Sequence, residues 1–294
     1  MDCVNRMQSF LFIIEKGDYI MRRQNLLFSA LLCATLVGCG GGSNNNNDVL
    51  VVGLECDYAP FNWTSPEASD YTLEINNADG YADGYDIQIA KYLGEKLNKE
   101  VVVKKIAWDS LIPSLNLGDI NCIIAGMSYS EERDLSVDFT SNYYTSEMTV
   151  IVRGDSELVN IDNIQDLSGY KVGSQLGTLT DSIIDQIDGV NHVTPYETFA
   201  TAALAVASGA IDAMTAEYPV AKAICQANPS LSVVTFTAEN GFSGLDENEL
   251  GVAVAVKEGN KELQDAINGA LDDLSIEQRR ELMDGALNRA PSQE

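Results

Sequence analysis

Apolar positions along the chain follow two periods in alternation. Residues 49–54, 101–106 and 122–125 are short Val- and Ile-rich runs of the kind found in a buried strand. Between them, Ile89, Ala90, Leu93 and Leu97 recur at helical spacing over 87–97, and 111–117 predicts a short helix ended by Gly118. Strand, helix, strand, helix, strand implies βαβ units and a parallel sheet. The pattern restarts after Val152, with a strand at 170–173 and a helix at 178–187 opened by a Gly-Thr turn. A helix at 202–207, a strand at 211–215, a helix at 218–227 and a strand at 231–236 follow. A strand at 252–256 and two amphipathic helices, 261–274 and 276–287, close the chain. The same α/β layout therefore occurs twice without a sequence repeat. Ligands of open α/β sheets sit beyond the carboxyl ends of the strands. Two such sheets facing each other would hold a ligand in the cleft between them.

The N-terminal stretch breaks this pattern. Residues 21–39 read MRRQNLLFSALLCATLVGC, a basic start at Arg22 and Arg23 followed by an apolar run from Leu26 to Val37. That run is too short to span a bilayer and predicts an export signal at 21–38. The tract GGGSNNNND after Cys39 contains no core-forming residue, so 39–47 is expected to be a flexible tether. A signal should begin a protein, so Met21 is expected to be the true start and residues 1–20 an over-called upstream segment.

Composition narrows the partners. The 294 residues carry 18 Lys and Arg against 44 Asp and Glu, a formal charge of -26, with a single His. No clustered basic face exists, which argues against nucleic acid. One His excludes a two-His zinc motif, and neither a phosphate loop nor a dinucleotide fingerprint appears, so no metal or cofactor is expected. Hydrophobic residues at 45% are ordinary for a globular protein, not for a disordered acidic chain. Of six Cys, Cys3 and Cys33 fall before the export site, and Cys56, Cys122 and Cys225 show no CxxC spacing. They are expected to be small buried hydrophobes. His192 is expected on the surface, in a turn, and 64–83, with its Asp79-Gly80 and Asp83-Gly84 pairs, in turns rather than a calcium loop.

The strand ends carry a resemblance. Glu55-Cys56-Asp57-Tyr58-Ala59-Pro60-Phe61 follows the first strand, and Gly84-Tyr85-Asp86-Ile87 opens the first helix. Trp108-Asp109-Ser110-Leu111 follows the second strand. Ala125-Gly126-Met127-Ser128-Tyr129-Ser130-Glu131-Glu132-Arg133 follows the third, and then come Val137-Asp138-Phe139 and Tyr143-Tyr144. In order and spacing these resemble the extracellular solute-binding proteins of family 3, which bring amino acids to bacterial ABC importers. The resemblance covers roughly residues 49–288. Leu36-Val37-Gly38-Cys39 is similar to a lipoprotein processing site, which implies a lipid on Cys39 and an exported protein held at the outer face of the membrane or in the periplasm.

The resemblance implies a two-lobed, periplasmic-binding-protein-like α/β fold, with two open mixed sheets joined by a two-strand hinge. Lobe one would comprise 48–147 and 247–294, and lobe two 148–246. It implies that Arg133 grips the ligand α-carboxylate with two parallel hydrogen bonds, helped by the hydroxyl and amide of Ser128. Ala125 and Gly126 would offer backbone carbonyls to the α-ammonium. From lobe two, Gln175 and the turn to Thr178 and Leu179 would complete the pocket, the last two through amides at a helix start. Glu217 would pair with the α-ammonium, Tyr58 and Trp108 would sandwich the ligand side chain, and Glu55 would lie at its far end. Taken alone, Arg133 also reads as a helix-start surface residue, Glu217 as a helix-start acid and Gly177-Thr178 as a cap.

A carboxylate in a closed cleft must be paired, so Glu55 implies a basic or amide-bearing L-amino acid, with cation–π help from the aromatics. The expected partners are this free amino acid, the permease and ATPase subunits of an importer, and the membrane through Cys39. The chain is expected to be a monomer and not an enzyme. The competing readings are a dehydratase of the same fold, for which Glu217 or Glu55 would serve as acid, and an extracellular sensor component.

Overall fold

The structure, a computed structural model, describes residues 48–291. The expected upstream segment, export signal, lipid site at Cys39 and tether at 39–47 lie outside the described residues.

Two five-stranded mixed sheets organise the chain. In the first, Val49–Leu54 pairs in parallel with Glu100–Lys105 and with Cys122–Ile123. Gly251–Lys257 runs antiparallel between Cys122–Ile123 and Val137–Thr145. In the second, Lys171–Gly173 pairs in parallel with Asn191–His192 and Ala213–Glu217, while Met148–Arg153 runs antiparallel between Ala213–Glu217 and Leu231–Val234. The chain thus leaves the first sheet after Thr145 and re-enters it at Gly251. These two connections run side by side: Gly251 pairs with Thr145, and Ser146 N donates to Leu250 O at 3.3 Å.

Helix Tyr85–Leu97 presents Ile87, Ile89, Ala90 and Leu93 to the first sheet and is closed by Asn98 in a left-handed conformation. Each such fully buried aliphatic side chain contributes roughly 1.5–3 kcal/mol. Leu111–Leu117 ends at Gly118, as its sequence predicts. The C-terminal helices, Lys261–Asp272 and Ile276–Arg289, close over the first sheet, with Tyr92 OH donating to Ala270 O at 2.8 Å. Among the described residues, no helix is long and apolar enough to cross a membrane.

Three expectations are corrected. Residues 64–83 are not only turns: Asn62–Ser65, Tyr81–Asp83 and Leu73–Glu74 join Asp57–Tyr58 in a four-stranded antiparallel sheet. Strands of two to four residues are too short to show a period in sequence. Asp83 is no cation ligand there, because it accepts two hydrogen bonds from Arg289, at 2.9 and 3.0 Å. The helix expected over 178–187 is one α-turn, Leu179–Ser182, followed by a 3-10 turn, Ile183–Gln186. His192 is half-buried in strand Asn191–His192, not free in a turn.

Gly84, at the start of Tyr85–Leu97, has φ +129°, and a Cβ there would lie 2.2 Å from the Phe61 carbonyl oxygen. Gly118 has φ +83° but open space around it. Gly118→Ala should therefore cost only backbone strain, roughly 1–2 kcal/mol. Gly84→Ala should cost ~1–3 kcal/mol more, because backbone must move. Urea unfolding measures both, and equal losses would contradict this account.

Candidate functional site

The carboxyl ends of strands from both sheets converge. The segment after Val49–Leu54 carries Glu55 and Tyr58, and the one after Glu100–Lys105 carries Trp108. The loop after Cys122–Ile123 supplies Gly126 and Ser128, and short helix Glu131–Asp134 supplies Arg133. From the second sheet come Gln175, Thr178 and Leu179 after Lys171–Gly173, and Glu217 at the end of Ala213–Glu217. With Phe199, these residues line one cavity of about 20 Å³. Of the residues expected from sequence, Ala125 alone is outside the lining; it is 2% exposed and packs into the core. Gly126 must be glycine: its φ is +62°, and a Cβ would lie 2.8 Å from the Tyr58 ring.

Side chains from the two sheets bond to one another across this cavity. Gln175 Nε2 donates to both oxygens of Glu55, at 3.0 and 3.2 Å, and to the Glu197 carbonyl at 2.8 Å. Tyr58 OH donates to Glu217 Oε2. Arg133 Nη1 donates to the Ser128 carbonyl at 2.6 Å and Nη2 to the Gly177 carbonyl at 2.8 Å. Trp108 Nε1 shares Gly177 O at 3.3 Å. The group over the Trp108 ring is the Arg133 guanidinium, 5.2 Å from the centroid, so Trp108 stands at the arginine end rather than facing Tyr58 across a ligand side chain. Tyr58 instead packs on Phe199, centroids 4.7 Å apart. Phe199 has no signal in sequence, where it is one apolar residue at the start of the helix Phe199–Ser208.

The cavity buries Glu55 and Glu217 and holds Arg133 partly buried beside them. Burial pushes Glu55 up to about 7, assisted by Asp57, while the Gln175 hydrogen bond holds it down. Burial likewise raises Glu217, opposed by the Tyr58 hydrogen bond and the Arg133 charge. Burial lowers Arg133 to about 10. Two carboxyl groups and one guanidinium thus line the same cavity.

The turn from Lys171–Gly173 is braced. Thr178 Oγ1 accepts from Asp181 N at 3.2 Å and donates to Gln175 O at 2.7 Å. The amides of Thr178 and Leu179 precede the first helical bond and need an outside acceptor; a four-residue helix adds little dipole to them. His192 places Nδ1 2.8 Å from Asp185 and Nε2 3.0 Å from Asp181. A protonated ring would donate to both carboxylates. Burial opposes that charge, but the hydrogen bonds to Asp185 and Asp181 prevail and raise the His192 pKa. Among the described residues Cys56, Cys122 and Cys225 are free thiols, the first two buried.

Comparison with known proteins agrees with this architecture. The family described as bacterial extracellular solute-binding proteins, family 3, matches residues 50–284. The ABC transporter arginine-binding protein 1 of Escherichia coli (strain K12) is 29% identical over 250 residues, 84% of this chain and 92% of that one. The glutamine-binding protein of Geobacillus stearothermophilus is 29% identical over 196 residues, 65% of this chain and 70% of that one. Among solved structures, an amino acid ABC transporter substrate-binding protein from Streptococcus pneumoniae bound to L-arginine superposes with a TM-score of 0.69 at 26% identity. That match covers 82% of this chain and 95% of the other.

The raised pKa of Glu55 carries a stability consequence. The folded state binds this proton more tightly than the unfolded chain, so Glu55 costs stability as pH rises from about 4.5 through about 7. The native protein should therefore lose stability relative to Glu55→Gln between about pH 5 and pH 8. Urea unfolding of both proteins across that range checks this. A difference that does not change with pH would contradict it.

Proposed function

The chain belongs to the bacterial extracellular solute-binding proteins, family 3, and on that premise we propose that it captures a basic or amide-bearing L-amino acid between its two lobes for an ABC importer. The observation that carries this reading is the charge pattern of the cavity: Glu55 and Glu217 against Arg133. A ligand with an α-carboxylate, an α-ammonium and a cationic side chain presents the complementary set. Arg133 would take the α-carboxylate, joined by Ser128 and the amides of Thr178 and Leu179. Glu217 and the Gly126 backbone would take the α-ammonium. Glu55 and Gln175 would take the side-chain head group, with Tyr58 and Phe199 along its aliphatic stem. Arginine or lysine neutralises all three protein charges.

An amide is the next best fit. At neutral pH Glu55 can hold a proton, given its pKa of about 7, and a neutral carboxyl donates to an amide carbonyl without leaving a charge buried. An apolar side chain would offer Glu55 neither an opposite charge nor a hydrogen bond beyond those from Gln175. The E. coli and S. pneumoniae relatives named for or bound to arginine, and the glutamine-binding relative, support this range.

The same reading places lobe one at 48–147 with 247–294 and lobe two at 148–246, with the paired connections beside Thr145 and Gly251 as the hinge. Residues 21–38 would export the chain, and lipid on Cys39 would tether it to the membrane beside the permease. Binding rather than turnover is favoured because the cavity groups pair among themselves in the manner of a recognition site. A dehydratase role would need one of the two carboxyl groups to meet a leaving hydroxyl.

Arg133→Ala should weaken capture of every amino acid far more than it lowers urea resistance. An α-carboxylate left buried without its partner costs roughly 2–5 kcal/mol, or ~30-fold to several thousandfold in affinity. Calorimetric titration with arginine, lysine and glutamine tests this. Near-native affinity in the variant would remove Arg133 from the site.

A further inference from the structure

Another carboxylate, Asp86, is fully buried in the first turn of helix Tyr85–Leu97 and is not among the residues that line the cavity. Each of its oxygens accepts one side-chain hydrogen bond: Oδ1 from Tyr143 OH at 2.7 Å, and Oδ2 from Asn62 Nδ2 at 2.8 Å. Both side chains are then used a second time. Tyr143 OH accepts from the Gly126 amide at 2.9 Å, and Asn62 Oδ1 accepts from the Cys56 amide at 2.7 Å. Gly126 and Cys56 are both left-handed, with φ of +62° and +56°. Gly126 lines the cavity, and Cys56 directly follows Glu55.

The chemistry of the carboxylate fixes the direction of both arms. A tyrosine hydroxyl has one proton; once this is donated to Asp86, only lone pairs remain for the Gly126 amide. The Asn62 side chain donates through nitrogen and so turns its carbonyl to the Cys56 amide. A neutral amide in place of Asp86 offers one acceptor where two are needed, and one arm must then invert. Cys56 needs such a tether, because a left-handed backbone is disfavoured for a residue with a Cβ.

We propose that Asp86, Asn62 and Tyr143 are positioning residues for ligand recognition. Through Tyr143 the buried carboxylate sets the Gly126 backbone that faces the ligand α-groups. Through Asn62 it sets the Cys56 turn that aims Glu55 at the ligand side chain. This inference rests on the reading above of which end of the cavity takes which ligand group.

The test is calorimetry with arginine and with glutamine at pH 8. Burial pushes Asp86 up to about 7 against the pull of its two hydrogen bonds, so at pH 8 the native carboxylate is ionised. Tyr143→Phe keeps the ring stacked on Tyr85 and should weaken both ligands by the same factor, about tenfold. Asn62→Ala should weaken arginine about tenfold more than glutamine, because a charged pair with Glu55 loses more from a misaimed carboxylate than an amide hydrogen bond does. Asp86→Asn should show at least one of these two signatures. A purely structural role would lower thermal stability and weaken both ligands alike in Asn62→Ala, and that result would overturn the inference. So would unchanged affinities in all three variants. If Asn62→Ala does not fold, Tyr143→Phe and Asp86→Asn decide, and native-like affinity in both overturns the inference. A native protein that binds neither ligand would overturn the functional reading instead.

Discussion

A buried charge must be met by an opposite charge or by hydrogen bonds, and three such groups meet where the two sheets face each other. Glu55 and Arg133 come from the first sheet's loops and Glu217 from the end of a strand in the second. None could remain ionised in an apolar interior alone. The architecture supplies their partners from the opposite side: Gln175 for Glu55, Tyr58 for Glu217, and the Gly177 carbonyl for Arg133. Each of these bonds joins residues of different sheets. On the proposed reading, the groups that would recognise a ligand also bond the two lobes to each other across the cleft.

That constraint explains the shape of the surroundings. Close approach of Tyr58 to the backbone demands glycine at 126, and the aromatic ring is then fixed by Phe199 on its other side. The second-lobe turn carrying Gln175 and Thr178 is short, and His192, between Asp181 and Asp185, braces the segment that follows it. On the proposed reading, a ligand exchanges its own charges for these internal pairings. A ligand shifts the closure equilibrium only by what it gains over them.

The strand ends were legible in sequence because they combine residue types that a core would not hold. Glu55 follows the strand Val49–Leu54, Glu217 ends Ala213–Glu217, Arg133 lies in the short helix beyond Cys122–Ile123, and Gly126 sits where a side chain would obstruct. The two α/β units were legible because their runs are long enough to show a period. Phe199 and Asn62 were not legible: each is ordinary in its own segment and gains meaning only from residues far away in the chain. The same holds for the pairing of Gln175 with Glu55, 120 residues apart. The small sheet within 57–83 has no signal in sequence because its strands, two to four residues long, are too short to establish a period. The helix at 178–187 was overextended because Ile183, Ile184 and Ile187 fit a helical face, whereas the chain turns more tightly there.

The central claim is that the cavity is matched in charge to an amino acid with a cationic side chain, and next to an amide. Calorimetric titration of the native protein with each of the twenty amino acids at neutral pH tests it most directly. Arginine or lysine should bind most tightly, with glutamine and histidine behind them and no heat from leucine or glutamate. Tight binding of leucine or glutamate, with none of arginine, lysine, histidine or glutamine, would contradict the account.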